Sequence, residues 1–282
     1  MKISVASGKG GTGKTLVATS LALSLIKNNP SVQLLDCDVE EPNVHLFLDQ
    51  EPINETTVSL PIPKINEDLC QHCGKCTEIC RFNAITLLKD TILIFPDVCH
   101  SCSACWHFCP TGALEPSPRE VGTVQISQSG KLKLITGRLN LGVHASPPVI
   151  KAVRGAIDTD TVTIIDGPPG SSCPVMAAVE ETDYCILVTE PTPFGLNDLS
   201  LAVEMLKVLN VPCGVIINRD VPGNHLIDDY CQEKGLPILL RIPLDTEIAR
   251  AYAKGIPLVK SSPVWTEKFI DLYQQVTQEV TK

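Results

Sequence analysis

The sequence contains no apolar run approaching the roughly 20 residues of a membrane span and no short window rich in lysine or arginine. The first absence argues against a transmembrane helix or stable membrane anchor. The second, with 23 Lys and Arg against 32 Asp and Glu and a net charge of −9, argues against binding nucleic acid or anionic membranes through a broad basic surface. A local basic patch assembled only on dimerisation would escape that exclusion. The N-terminus passes straight into a strand pattern at Ile3 and Val5, so no signal peptide is expected and a cytoplasmic location is. Thiols stay reduced in that compartment, so the 13 cysteines are not expected to pair as disulfides. Eight of them lie between Cys70 and Cys109, a concentration that calls for a metal.

Apolar residues make up 44% of the 282, enough for one large α/β core and a small addition. Near the start, Gly8, Lys9, Gly10, Gly11, Thr12, Gly13, Lys14 and Thr15 fit the phosphate-binding pattern G-x-x-x-x-G-K-[ST]. A short strand precedes them, and Leu16, Val17, Leu21, Ala22, Leu25 and Ile26 continue an apolar helix behind them. In that context backbone N–H groups point at phosphate oxygens, Lys14 reaches the terminal phosphates and Thr15 holds Mg²⁺. ATP or ADP with Mg²⁺ is therefore expected.

Lys9 is an additional lysine inside the loop. With it, KGGTGKT resembles the deviant P-loop ATPases, the family of MinD, ParA, the Mrp carriers and the nitrogenase iron protein. The resemblance implies an α/β fold, a mostly parallel P-loop NTPase sheet with helices on both faces, and slow Mg-dependent ATP hydrolysis. It also implies a nucleotide-dependent homodimer, or a heterodimer with a paralogue, in which Lys9 reaches the nucleotide of the other subunit. Asp36 and Asp38 follow a buried strand over Val32, Leu34 and Leu35, and Asp166 heads the DGPPG that follows Val162–Ile165. Carboxylates at the carboxyl end of parallel strands face the ligand crevice. Carried over, Asp38 positions the attacking water, Asp36 belongs to the Mg²⁺ shell and Asp166 takes the Walker B role. The other reading of Asp36 and Asp38 is that they cap a helix over Val44 to Leu48. Asn218, at the end of a strand over Gly214–Ile217, is the implied adenine contact, with Pro243 and Asp245 on the same face.

Further along, Pro30 marks a turn. Residues 49–68 hold Pro52, Pro61 and Pro63 without helical period and read as a connector. Two runs follow, CQHCGKCTEIC from Cys70 to Cys80 and CHSCSACWHFC from Cys99 to Cys109, at an offset of 29 residues that also relates Ala84 to Ala113, which marks an internal duplication. The spacing C-x2-C-x2-C-x3-C is that of bacterial two-cluster ferredoxins, where the last cysteine of each run serves the other cluster. One [4Fe-4S] cluster is thus assigned to Cys70, Cys73, Cys76 and Cys109, the second to Cys99, Cys102, Cys105 and Cys80. Arg81 replaces the proline that usually follows the run. Four-thiolate zinc is the alternative, though zinc sites use separated C-x2-C pairs rather than triples. Residues 84–88 and 92–95 read as a hairpin. This places an inserted α+β, bacterial-ferredoxin-like domain at 59–116, between the 1–58 and 117–282 parts of the ATPase domain.

Residues 121–137 read as a second hairpin around Ser129-Gly130, and Ser146-Pro147-Pro148 as a helix start. The last helix places Trp265, Phe269, Leu272, Val276 and Val280 on one face. Its polar face carries Glu267, Asp271 and Glu279 besides Lys268 and Lys282, which suits a packed helix rather than a membrane-targeting one. Cys173 lies seven residues after Asp166, where the nitrogenase iron protein has a cluster ligand. The second cysteine such a site needs is missing, so Cys173 is expected to be buried and inert, like Cys37, Cys185, Cys213 and Cys231. The insertion sits between the two nucleotide-sensing segments, which suggests ATP-gated electron transfer through two clusters to a partner protein. The alternative is a carrier or assembly factor for iron-sulfur or metal cofactors. The C-terminal C-x-x-C of the Mrp carriers is absent here, Cys231 standing alone, which favours electron transfer.

Overall fold

The computed structural model describes residues 1–27 and 31–281; the turn expected at Pro30 and the terminal Lys282 lie outside them. Strand β1 (Lys2–Ser7) runs into the glycine-rich loop and helix α1 (Lys14–Leu25), followed by β2 (Val32–Asp36). Strand β3 (Glu51–Ile65) leads out to a small unit with α2 (Lys75–Ile79), the hairpin β4 (Ile85–Leu88) and β5 (Thr91–Ile94), and α3 (Ala104–His107). Strand β6 (Leu114–Ser129) leads back and turns into β7 (Leu132–Leu139). Strands and helices then alternate: α4 (Ser146–Gly155), β8 (Val162–Pro169), α5 (Cys173–Val179), β9 (Tyr184–Thr189), α6 (Pro193–Val208), β10 (Cys213–Asp220), α7 (Leu226–Lys234) and β11 (Ile238–Pro243). Helices α8 (Thr246–Ala253), α9 (Leu258–Ser261) and α10 (Pro263–Val280) close the chain.

The main sheet has nine strands in the order β11-β10-β9-β1-β8-β2-β7-β6-β3. From β11 to β7 every pair is parallel, while β6 and β3 add antiparallel at one edge. The pleat divides the core: Ile3, Val5 and Leu34 pack with α1 and α10 on one face, whereas Ala6 and Leu35 belong to clusters with α4 to α7 on the other. The sheet is therefore mostly parallel with helices on both faces, as expected. Helix α1 is buried almost all round; Thr19 donates to Thr15 O and Ser24 to Ser20 O within it, whereas Ser20 Oγ is buried without a hydrogen-bond partner. On α10, Phe269, Leu272 and Val276 are fully buried, each contributing roughly 1.5–3 kcal/mol. No helix among the described residues is long and apolar enough to cross a membrane.

Several expectations change. The connector at 49–68 is instead a 15-residue strand. Its prolines are tolerated because β3 is an edge strand, where a missing N–H breaks no second ladder. The helix expected over 44–48 is only a 3-10 turn, Val44–Leu46. The hairpin expected over 121–137 is real, with Ser129 facing Leu132, but β6 starts seven residues earlier at Leu114. Along Glu51–Ile65 and Leu114–Gln128, β3 and β6 form one long antiparallel ribbon with bulges at Pro52/Asn54 and Val58/Ser59. Cys173 is exposed, not buried, because it opens α5 at the surface; Cys37, Cys185 and Cys231 are buried and Cys213 half-buried.

Candidate functional site

The carboxyl ends of the parallel strands gather the loop and all the acids singled out above. Gly13, with φ +100°, precedes α1, and a Cβ there would lie 2.4 Å from Asn218 Nδ2. Gly8 is packed as closely, its missing Cβ against Asp198 of α6. The loop is thus held in shape by its neighbours before any ligand arrives. Lys14 is buried, and Thr15 Oγ1 donates to Asp166 Oδ2 at 2.6 Å. Asp166 Oδ1 and Thr12 Oγ1 are buried without a hydrogen-bond partner. Such orphans are costly, and they suit a cation at Asp166 and a phosphate oxygen at Thr12.

Asp36 is also buried, and its carboxylate accepts from Val44 N at 3.0 Å and Asp38 N at 3.3 Å. It therefore shapes the turn after β2 as a cap does. Burial, and next the charge of Asp166, hold the Asp36 carboxyl well above the usual range. Burial likewise raises Asp166, against the hydrogen bond from Thr15 and the charge of Lys14. Asp38 is half-buried and is pushed up to about 6, by burial first, with Lys14 pulling down. Three neighbouring carboxyls, of which Asp38 and Asp166 feel the buried Lys14, make a setting that a divalent cation would relieve.

Lys9 lies 37% exposed and pairs within its own chain, Nζ to Glu190 Oε2 at 3.5 Å. Glu190 also accepts from Arg219 Nη1 at 2.6 Å. Glu190 and Arg219 lie outside the residues that the motifs single out. Glu190 follows β9 and so carries the same signal as Asp36 and Asp166, an acid at a strand's carboxyl end.

Beside the loop lies a cavity of about 230 Å³ lined by Gly13, Asn218, Pro243, Asp245, Ile248 and Tyr252, among others. Asn218, Pro243 and Asp245 are thus brought together. The Asn218 amide is already engaged, donating to Thr12 O at 2.7 Å and accepting from Arg219 N at 2.9 Å. Asp245 caps α8 by accepting from Glu247 N. Tyr252 was missed: a tyrosine four residues after Ile248 on a helix reads as core from sequence alone.

The eight clustered cysteines lie in the small unit. One cavity there is lined by Cys70, Cys73, Cys76 and Cys109, a second by Cys80, Cys99, Cys102 and Cys105. Each run therefore places its last cysteine with the first three of the other. The His72 amide donates to Cys70 Sγ at 3.4 Å and the Ala84 amide to Cys80 Sγ at 3.3 Å. Burial raises the Cys109 thiol, but bonds from Thr111, Leu114 and Ala113 outweigh it and the net shift is downward. Donors aimed at sulfur and fourfold sulfur sets fit thiolate ligation of a metal centre.

A family model, the CobQ/CobB/MinD/ParA nucleotide-binding domain, matches residues 3–258. The chain belongs to this family. An uncharacterised protein of Methanocaldococcus jannaschii is 33% identical over 281 residues, 99% of this chain and 97% of that one. An iron-sulfur cluster carrier protein of the same organism is 25% identical over 298 residues, covering 99% and 84%. Among solved structures, the septum site-determining protein MinD of Pyrococcus horikoshii, complexed with Mg-ADP, aligns with TM-score 0.60 over 98% of this chain and 95% of that one, at 22% identity. That last likeness speaks for the fold.

Proposed function

We propose that this protein is an Mg-dependent ATPase that handles iron-sulfur clusters, as a carrier or assembly factor, with a ferredoxin-like module holding two [4Fe-4S] clusters. The observation that carries the reading is the sorting of eight cysteines into two fourfold-lined cavities on a chain whose nucleotide loop is intact. The iron-sulfur cluster carrier relative shifts the balance from electron transfer towards cluster handling.

Cys70, Cys73, Cys76 and Cys109 would hold one cluster and Cys99, Cys102, Cys105 and Cys80 the other. A bound [4Fe-4S] cluster supplies either a transferable iron-sulfur unit or one-electron redox capacity. Cys73 and Cys102 are exposed, so one corner of each cavity is open to an acceptor.

At the nucleotide, the loop N–H groups and Lys14 bind the phosphates, and Thr15 with Asp166 would hold Mg²⁺, Asp36 fixing the turn beside them. Mg²⁺ supplies charge neutralisation at the phosphates. Asp38 is mostly ionised at neutral pH and orients the attacking water. Tyr252 and Pro243 flank the base. Lys9 acts on the nucleotide of a second copy or a paralogue, which requires it to leave Glu190. A partly exposed ion pair is worth about 0–1 kcal/mol, whereas a cationic finger in trans gives about 10³ to 10⁵ in rate. Breaking the pair therefore costs little beside the transition-state stabilisation that Lys9 would supply.

The second reading, nucleotide-gated electron transfer to a partner protein, is favoured by the completeness of the cysteine sets, which leave no spare ligand for cargo. The test follows iron content and the EPR signal of reduced, anaerobically purified protein, with and without ATP, in the presence of an acceptor apo-protein. ATP-dependent loss of iron to the acceptor is the expected result. Constant iron with an ATP-shifted signal would overturn the carrier reading in favour of electron transfer.

A further inference from the structure

A cleft of about 570 Å³ lies between the small unit and the nucleotide-binding body, within the roughly 300–1,000 Å³ typical of small-molecule sites. Leu60 and Ile62 of β3 form one wall, and Val143, Pro148 and Pro174, around the starts of α4 and α5, form the opposite one. Cys99 and His100 line both this cleft and the cavity of Cys80, Cys102 and Cys105. Those two residues are a shared partition: anything seated in the cleft lies against the back of the second cysteine set.

Apart from Asp97, every polar side chain in the cleft can donate a hydrogen bond. Ser101 Oγ is shielded from solvent without a hydrogen-bond partner. His100, whose ring stacks on Phe82 at 3.8 Å between centroids, and His144 are both exposed to the cleft side. Asp97, the acid in the lining, is already tied to the Arg119 guanidinium, which also donates to Pro96 O. Apolar walls with hydrogen-bond donors between them complement an apolar molecule that carries acceptor oxygens.

We propose that this cleft binds a largely apolar molecule bearing carbonyl acceptors, of the chemical class shared by quinones and flavins, seated against Cys99 and His100. The proximity of its occupant to a cluster rests on the ferredoxin-like reading; the cleft and its donors do not. Cys173, exposed at the rim, serves as the reporter.

The experiment uses the full-length, anaerobically purified protein with ATP present, so that the nucleotide site is occupied. Duroquinone and riboflavin are the two probes. Binding is read by equilibrium dialysis and by the rate of iodoacetamide alkylation at Cys173, resolved by mass spectrometry. One probe is expected to bind with Kd of about 100 μM or tighter and to slow alkylation about fivefold or more, and which one does so assigns the class. Ala145 also lines the cleft, and Ala145→Trp and Val143→Trp, which fill it, should each weaken binding about tenfold with an unchanged far-UV spectrum. Failure of both probes to bind or protect, or undiminished binding in a folded filled variant, overturns the site. Iron measured on the same samples separates the two ideas. A bound probe on iron-free protein supports the cleft while sinking the cluster reading, and full iron without probe binding sinks the cleft alone.

Discussion

Thr15 Oγ1 and Asp166 Oδ2 are 2.6 Å apart, so the first turn of α1 is tied to the end of β8 by a single charge-assisted hydrogen bond. Asp166→Asn keeps the shape of this link but removes the charge that Mg²⁺ would meet. Mg-dependent turnover should fall about 100-fold or more, while nucleotide binding in the presence of EDTA stays near wild type. Parallel loss of both would mean that Asp166 serves the loop's structure rather than the metal.

Lys9→Ala should bind nucleotide and lose turnover by about 10³. Glu190→Gln frees the same lysine from its intrachain partner. It should lower the protein concentration that gives half-maximal turnover by about threefold, the size of a weak ion pair. ATPase assays across a protein dilution series check both, and a fully active Lys9→Ala enzyme would refute action in trans.

Cys80 belongs by sequence to the first run but lies with Cys99, Cys102 and Cys105. Cys80→Ala should therefore cut iron from about eight to about four atoms per chain and spare the centre of Cys70, Cys73, Cys76 and Cys109. Cys109→Ala should do the reverse. Iron analysis with EPR distinguishes the two centres, and tightly bound zinc in place of iron would contradict the ligand assignment.

Gly13→Ala puts a Cβ at φ +100°, 2.4 Å from Asn218 Nδ2, whereas a Cβ on Gly10 meets nothing within 4 Å. Denaturant unfolding should show Gly13→Ala costing about 1–3 kcal/mol and Gly10→Ala within about 0.5 kcal/mol of wild type. Equal effects would show that the left-handed turn at Gly13 is not the constraint.

Burial pushes the Cys185 thiol from 9.0 up to about 12 and the Cys231 thiol up to about 11. A thiol raised in the folded state stays protonated while its unfolded counterpart ionises. Its contribution is therefore complete below about pH 9 and is lost as pH rises through about 11 to 12. Stability should fall over that window, and the fall should be shallower in Cys185→Val. An unchanged slope in that variant would place the alkaline loss elsewhere.

Much of the nucleotide half was legible because its signals are local. Eight loop residues, a strand before them and an apolar helix after them state their own arrangement, and the pattern of Asp36 and Asp166 at strand ends follows from sheet geometry. Long-range pairing was not legible. Strand β3 read as a connector because Pro52, Pro61 and Pro63 mask its alternation, and only its partner β6 explains why they are harmless. Cys173 is expected to be buried because the second cysteine of a shared cluster is missing, but lacking a metal partner does not fix burial; its exposure depends on where α5 meets the surface. Glu190 and Arg219 meet from different strands, and Tyr252 reaches its cavity from a helix after the last strand. Such meetings depend on topology, which residue spacing does not encode.

Ile65 and Leu114 face one another at the far end of the ribbon. Residues 66–113 thus enter and leave through a single pair of hydrogen-bonded neighbours, and to the rest of the sheet they count as the loop of one hairpin. A unit attached this way can be exchanged, lost or acquired without altering the register of any other strand. The nucleotide-binding half and residues 66–113 can therefore diverge at different rates, and a chain that replaces residues 66–113 with a two-residue Asn-Gly turn should still assemble the nucleotide half.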